Sequence, residues 1–290
     1  MRRHAPGRAA RLQVTLTGSP TPFDAQAADF DRRVGLPEAD CRAVATAVLG
    51  FGQAGPGGLV VEIGAGTGMI GRWFLAPPDH HAVRYAGLDL SRGMLEVFRR
   101  RSPRAPLVQA DGTKTWPLPD ASVNVIFSSR AIHLLPREHV VGEALRVAPR
   151  GALVIGRVER QPESVKARLS REMRRRLRDL GFSPRDAGSR HLLQALRDEG
   201  ARDVERTEVV RWPARQTPRE ALDQWRGKEG LGGIVLPPGI QEEVLRGLEA
   251  WAVETFGGLD DVHETEESYV LEGQSFIDRG RVAAGSSGHH

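Results

Sequence analysis

Glu62, Asp89 and Asp111 each follow a short apolar run, and the first of them leads into closely spaced glycines: Val60-Val61-Glu62-Ile63-Gly64-Ala65-Gly66-Thr67-Gly68. Glycine admits positive φ and lets backbone lie against a ligand. A helix start beyond such a turn offers free N–H groups to an electronegative partner. Gly66-x-Gly68-x-x-Gly71 also satisfies the dinucleotide fingerprint, with Asp89 about 20 residues on, where an acid for a ribose belongs. Glu62 shifts the balance. A carboxylate two residues before the first glycine suits an amino acid's ammonium group and is a poor neighbour for a pyrophosphate. Asp89 ends a run in Gly87-Leu88-Asp89-Leu90-Ser91, and Asp111 follows Gln109-Ala110, placed to accept from an adenine amine.

These residues need strand ends to hold them. Leu59–Ile63, Arg84–Leu88, Leu107–Gln109, Val123–Phe127 and Ala152–Gly156 read as buried parallel strands. Helices are expected from about Pro37 to Leu49, from Met69 to Leu75, over Ser91–Arg101 with Ser91 as N-cap, and over Arg137–Val147. Alternating strand and helix imply a parallel sheet covered on both faces. Beyond it, Pro162–Leu180 is an Arg-rich helical stretch, His191–Glu199 a helix, and Val204–Trp212 and Glu266–Phe276 strands. Residues 213–261 hold four helix-like turns with Trp225, Leu231, Ile234, Trp251 and Phe256.

The pieces together resemble the class I S-adenosylmethionine-dependent methyltransferases, most of all the branch with the ubiquinone and menaquinone biosynthesis enzymes. The likeness covers roughly residues 30–160. It is carried by Glu62–Gly68, Asp89-Leu90-Ser91 with Met94, Ala110-Asp111-Gly112, Leu118-Pro119-Asp120, and Ser128-Ser129-Arg130-Ala131-Ile132-His133, in the family's order and spacing. The resemblance implies an α/β, Rossmann-like, doubly wound fold: a mostly parallel seven-stranded sheet, an antiparallel last strand and a helical cap insertion. It implies S-adenosylmethionine as cofactor. Gly64, Ala65, Gly66 and Gly68 would carry backbone past its methionine and ribose, and Asp89 would take both ribose hydroxyls. Leu90 and Met94 would sandwich the adenine, with Asp111 on its amine and Gly112 beside it. Ser128 would turn its carbonyl to the methionine ammonium. In relatives the stretch Phe30-Asp31-Arg32-Arg33-Val34-Gly35-Leu36 belongs to a lid, so Phe30 and Arg32 are expected near the cofactor.

His133 follows the fourth strand at the carboxyl edge and titrates in a useful range, which makes it the candidate catalytic base. A pocket-lining histidine is the alternative. Arg130 either meets an acidic group of the acceptor or faces solvent. The aromatic and aliphatic residues of 213–261, with Trp212, either line a chamber for a hydrophobic acceptor or form the insertion's own core.

The chain has 290 residues, 40% hydrophobic and 27% charged, enough for one large domain. Residues 1–22 read as a mobile arm, 23–284 as the methyltransferase domain with the cap at about 213–261, and 285–290 as a tag remnant. One cysteine, Cys41, excludes an internal disulfide and any multi-thiolate metal site, and no metal-ligand spacing is evident. No apolar run reaches the length of a membrane span and no signal region follows Met1, so a cytoplasmic enzyme acting on a small molecule is expected. The net charge of +4 comes with only three lysines among 41 basic residues. That bias fits a GC-rich coding sequence better than a nucleic-acid partner. RNA methylation through the Arg157–Arg178 stretch is the alternative activity, and an inactive S-adenosylmethionine-binding regulator the alternative of another class. A nicotinamide oxidoreductase is the third.

Overall fold

In the computed structural model, apolar residues alternate between the two faces of a central sheet, and this alternation makes the strands read as unbroken apolar runs. Val60, Val125, Phe127, Ala152 and Val154 enter one cluster, while Val61, Ile63, Ile126, Leu153 and Ile155 enter the opposite one. The structure describes residues 21, 23–24, 27, 30–31, 36–51, 54–75, 83–183, 189–227, 230–237 and 239–276. The expected arm lies outside these apart from Thr21, as do Arg32 and the tag remnant.

The strands are β1 (Leu59–Ile63), β2 (Arg84–Asp89), β3 (Leu107–Gln109), β4 (Val125–Ser129), β5 (Ala152–Arg160), β6 (Arg202–Gln216) and β7 (His263–Ser275). They form one sheet in the order β3-β2-β1-β4-β5-β7-β6. β1 to β5 pair parallel, and β7 runs antiparallel to both β5 and β6. Strand order reverses between β1 and β4, so a crevice opens beyond their carboxyl ends, where such sheets bind ligands.

Helices α1 (Cys41–Phe51) and α2 (Arg92–Arg101) cover the first face through Val44, Val48, Leu95 and Phe98. Helices α3 (Arg137–Val147) and α5 (Arg190–Asp198) cover the second through Val140, Ala144, Leu193 and Leu196. Ser91 caps α2, its hydroxyl accepting the Met94 N–H. A third cluster joins α4 (Val165–Asp179), α6 (Pro218–Arg226) and α7 (Ile240–Phe256) around Leu169, Leu177, Leu222 and Leu248. Among the described residues no helix is long and apolar enough to cross a membrane.

Several boundaries differ from the sequence reading. The fourth strand starts two residues late, because Asn124 ties its N–H to the Leu59 carbonyl and its side chain to the Leu59 N–H. Between Gly64 and Gly71 the chain stays non-helical and makes only a 3-10 turn over Gly71–Leu75. β5 runs on to Arg160, held by pairing with β7. β6 continues through Pro213 to Gln216, which an edge strand tolerates. The segment after β6 thus starts at Thr217, and among the described residues it holds two helices. Trp212 lies in the sheet core, and Leu231 and Phe256 are buried in the third cluster, against which Trp225, Ile234 and Trp251 pack. Those last five pack with α4 in one core.

Candidate active site

One cavity lies at the carboxyl ends of β1 to β4, and Glu62, Asp89 and Asp111 all line it. Gly64, Ala65, Gly66, Leu90, Met94 and Gly112 line it too. Gly68 and Ser128, also expected there, do not. Gly68 lies against the Phe98 ring, and the buried Ser128 hydroxyl donates to the Ile63 carbonyl while accepting the Ile132 N–H. Ser128 thereby ties the end of β4 to the end of β1, and its neighbour Ser129 faces the cavity instead.

The glycine turn is folded back over β2: the N–H groups of Gly64 and Ala65 both donate to the Leu88 carbonyl. Gly64 has φ of 73°, and a Cβ there would overlap the Ala131 methyl. Both facts confine this position to glycine. Asp89 stands below the turn. Its two oxygens each accept one backbone N–H, from Gly66 and from Ser91, both at 2.8 Å. Burial raises its carboxyl above the usual range despite these bonds. Each oxygen keeps lone pairs for a further donor.

Glu62 is buried, and the Tyr85 hydroxyl donates to it at 2.6 Å. Burial pushes its carboxyl up to about 8; the Tyr85 bond works against this and the nearby Asp89 charge adds to it. A cation entering beside it would restore its charge. Asp111 behaves oppositely. The Thr113 hydroxyl and N–H both donate to one of its oxygens, which holds the carboxyl below its ordinary value and leaves the other oxygen clear. Met94 is 2% exposed and Leu90 46% exposed, so the cavity has an apolar inner wall and a more open apolar rim.

The N-terminal segment packs across the cavity. Phe23, Phe30 and Asp31 line it. Asp31 pairs with Arg101 at 2.5 Å and accepts the Thr67 hydroxyl. Asp24 accepts the Gly93 N–H and the Ser91 hydroxyl, so it caps α2 alongside Ser91. Burial would raise the Asp24 carboxyl, yet its bonds from Thr21, Gly93 and Ser91 outweigh that and hold it at about 2. Sequence reasoning missed Asp24. The Thr21-x-x-Asp24 spacing is a turn signal, but only the fold reveals the 67-residue reach to Ser91. Trp116, also missed, lines the cavity and braces the site by donating to the Gly112 carbonyl.

His133 sits on the 3-10 turn Ile132–Leu134 with its ring exposed, and it is not among the lining residues, although its neighbours Ala131, Leu134 and Leu135 are. Partial desolvation by its surroundings and the Arg130 charge lower its pKa.

Residues 61–155, which hold all of these strand ends, match the family described as a methyltransferase domain. Over those residues the chain is similar to methyltransferase domains. A malonyl-[acyl-carrier protein] O-methyltransferase of Serratia marcescens is 31% identical over 137 residues, covering 45% of this chain and 51% of the relative. The chain thus spans about half the length of that curated relative. Among solved structures, a Bacillus halodurans protein assigned as a methyltransferase has a TM-score of 0.51 at 16% identity, covering 80% of this chain and 98% of its own. The methyltransferase in complex with the Trm112 activator of Haloferax volcanii has a TM-score of 0.50 at 20% identity, covering 89% and 99%. At such identities the likeness concerns the fold.

The cavity of this chain fits S-adenosylmethionine on its own chemistry. It combines a backbone cradle that a Cβ would fill, a buried acid with a raised pKa, and two acids with oxygens left to accept.

Proposed function

We propose that this chain transfers a methyl group from S-adenosylmethionine to a small, hydrophobic or aromatic acceptor, at oxygen or carbon. The observation that carries the reading is the convergence of Glu62, Asp89 and Asp111 with the Gly64–Gly66 backbone on one cavity. S-adenosylmethionine supplies a methyl on a positively charged sulfur, already disposed to leave.

The residues divide its recognition. Glu62 would accept from the methionine ammonium and lose its proton in doing so. Asp89 would accept from both ribose hydroxyls, one on each oxygen. The clear oxygen of Asp111 would accept from the adenine amine, with Met94 and Leu90 on the two faces of the ring and Gly112 at its edge. Phe23 and Phe30, which line the cavity, would screen it from water. Binding of this kind places the methyl and the acceptor in line, and orientation alone supplies much of the acceleration. Where the acceptor's proton must leave, His133, next in sequence to the lining residue Leu134, is the residue proposed to take it.

Thermal-shift and calorimetric titration with S-adenosylhomocysteine and with NAD test the cofactor. The expected result is stabilisation by the former alone, and the reverse overturns the reading. An acceptor screen with radiolabelled methyl donor tests the substrate class. In His133→Gln, turnover is expected to fall with S-adenosylhomocysteine affinity retained; full turnover removes His133 from the mechanism.

A further inference from the structure

Arg130 is the only cationic side chain among the described residues that line the cavity. It ends β4 with φ of 62°, a left-handed conformation that is uncommon for a residue with a side chain. Its titratable neighbours on β5 and β7 are Arg160, Glu267 and the neutral, buried Tyr269. Glu267 is already committed, paired with Arg160 at 2.8 Å, and the Tyr269 hydroxyl bonds Ser129 at 2.7 Å. Among the described residues no carboxylate stands within ion-pair distance of Arg130. The Phe30 ring lies over its guanidinium at 5.7 Å. Burial and the Arg160 charge both disfavour the cation.

The acids of the cavity do not relieve it. Asp31 is held by Arg101, Glu62 by Tyr85, Asp89 by Gly66 and Ser91, and Asp111 by Thr113. A desolvated guanidinium that no described carboxylate pairs is costly, and an anion brought from outside would relieve the cost. The planar fork of arginine fits a carboxylate in two parallel hydrogen bonds. Position narrows the source. Glu62 and Asp89 lie in the last residues of β1 and β2 and Asp111 just beyond β3, whereas Arg130 follows β4, across the switch point and beside β5. Next to it, Ala131, Leu134 and Leu135 give that side of the cavity an apolar wall, with Leu134 57% exposed.

We propose that Arg130 binds the carboxylate of the methyl acceptor, which is an organic acid with an apolar body lying along Leu134 and Phe30. The proposal rests on the methyl-transfer reading, because that reading fills the β1–β3 side with the adenosyl donor. The donor's own carboxylate offers the same chemistry, so the test separates the two.

The full-length protein, saturated with S-adenosylhomocysteine, is titrated with octanoate and phenylacetate and with their neutral amides, followed by saturation-transfer NMR. Both acids are expected to bind at millimolar concentration, about tenfold tighter than the amides. Arg130→Met should remove that preference, Arg130→Lys should keep part of it, and both should bind S-adenosylhomocysteine as the unaltered protein does. Equal binding of acids and amides, or no binding of either acid, overturns the proposal. So does a tenfold loss of S-adenosylhomocysteine affinity in Arg130→Met, which assigns the guanidinium to the donor. Should Arg130→Met not fold, Arg130→Lys carries the same comparison. Failure of the methyl-transfer reading shows differently: the unaltered protein then binds no S-adenosylhomocysteine, and the proposal falls with it.

Discussion

The cavity and the three-helix unit of α4, α6 and α7 solve opposite problems with the same kinds of residue. In the helical unit charges meet partners within the chain. Glu172 takes Arg175 and Arg176, Arg226 takes Asp223 and Glu249, and Arg219 takes Asp260. Its apolar residues close on one another, and Arg168 packs over the Phe256 ring at 4.7 Å. Thr217 and Glu220 form a capping box at the start of α6. The cavity keeps a buried acid with a pKa of about 8, a guanidinium without a carboxylate among the described residues, and a positive φ at a residue with a side chain. Local rules are kept where only stability is at stake and broken where a ligand must complete the structure.

That contrast can be broken most forcefully in the helical unit. Leu248→Ala, deep in its core, is expected to cost about 2–5 kcal/mol of stability in a denaturant titration, while leaving S-adenosylhomocysteine affinity unchanged. Coupled losses would show that the two regions are not separable. Asp89→Ala is expected to do the reverse. Charged hydrogen bonds are worth about 1.5–3 kcal/mol each, so calorimetry should find affinity down by about a hundredfold or more, with the helical unit intact. Unchanged affinity removes Asp89 from the site.

Glu62 sharpens the comparison through pH. Its carboxyl lies at about 8 in the folded protein against an ordinary 4.5, so between those values the folded chain holds a proton that the unfolded chain has lost. Its contribution to stability is therefore full below 4.5 and declines as pH rises through about 8. Affinity for S-adenosylhomocysteine should rise over the same approach to 8, as the carboxylate forms without the ligand's help. Glu62→Gln should flatten both profiles, and a slope that survives assigns it to another group. The smallest effect is expected at the surface of the helical unit, where Thr217→Ala should cost about 1 kcal/mol of stability and nothing in affinity.

How much of this was legible in the sequence follows from what is local. β1, β3 and α3 fall where their apolar patterns put them, because a buried strand or an amphipathic helix is written in neighbouring residues. Glu62, Asp89 and Asp111 were legible for the same reason: each ends or follows a strand, and the topology gathers strand ends. For Ser128 the resemblance concerned the carbonyl, while its hydroxyl staples β4 to β1, and Gly68 seats Phe98. Sequence spacing does not reveal which way such a residue faces. Asp24 and Trp116 were invisible because their partners are supplied by distant segments. The extent of β5 and β6 was misjudged because pairing with β7, not composition, sets their length.

The place of β7 has a bearing on biogenesis. Residues 263–275 slot between β5 and β6, so a growing chain displays both flanking edges, bare and adhesive, until those residues leave the ribosome. A version halted before His263 should clump rather than float free, and light scattering during synthesis would reveal it.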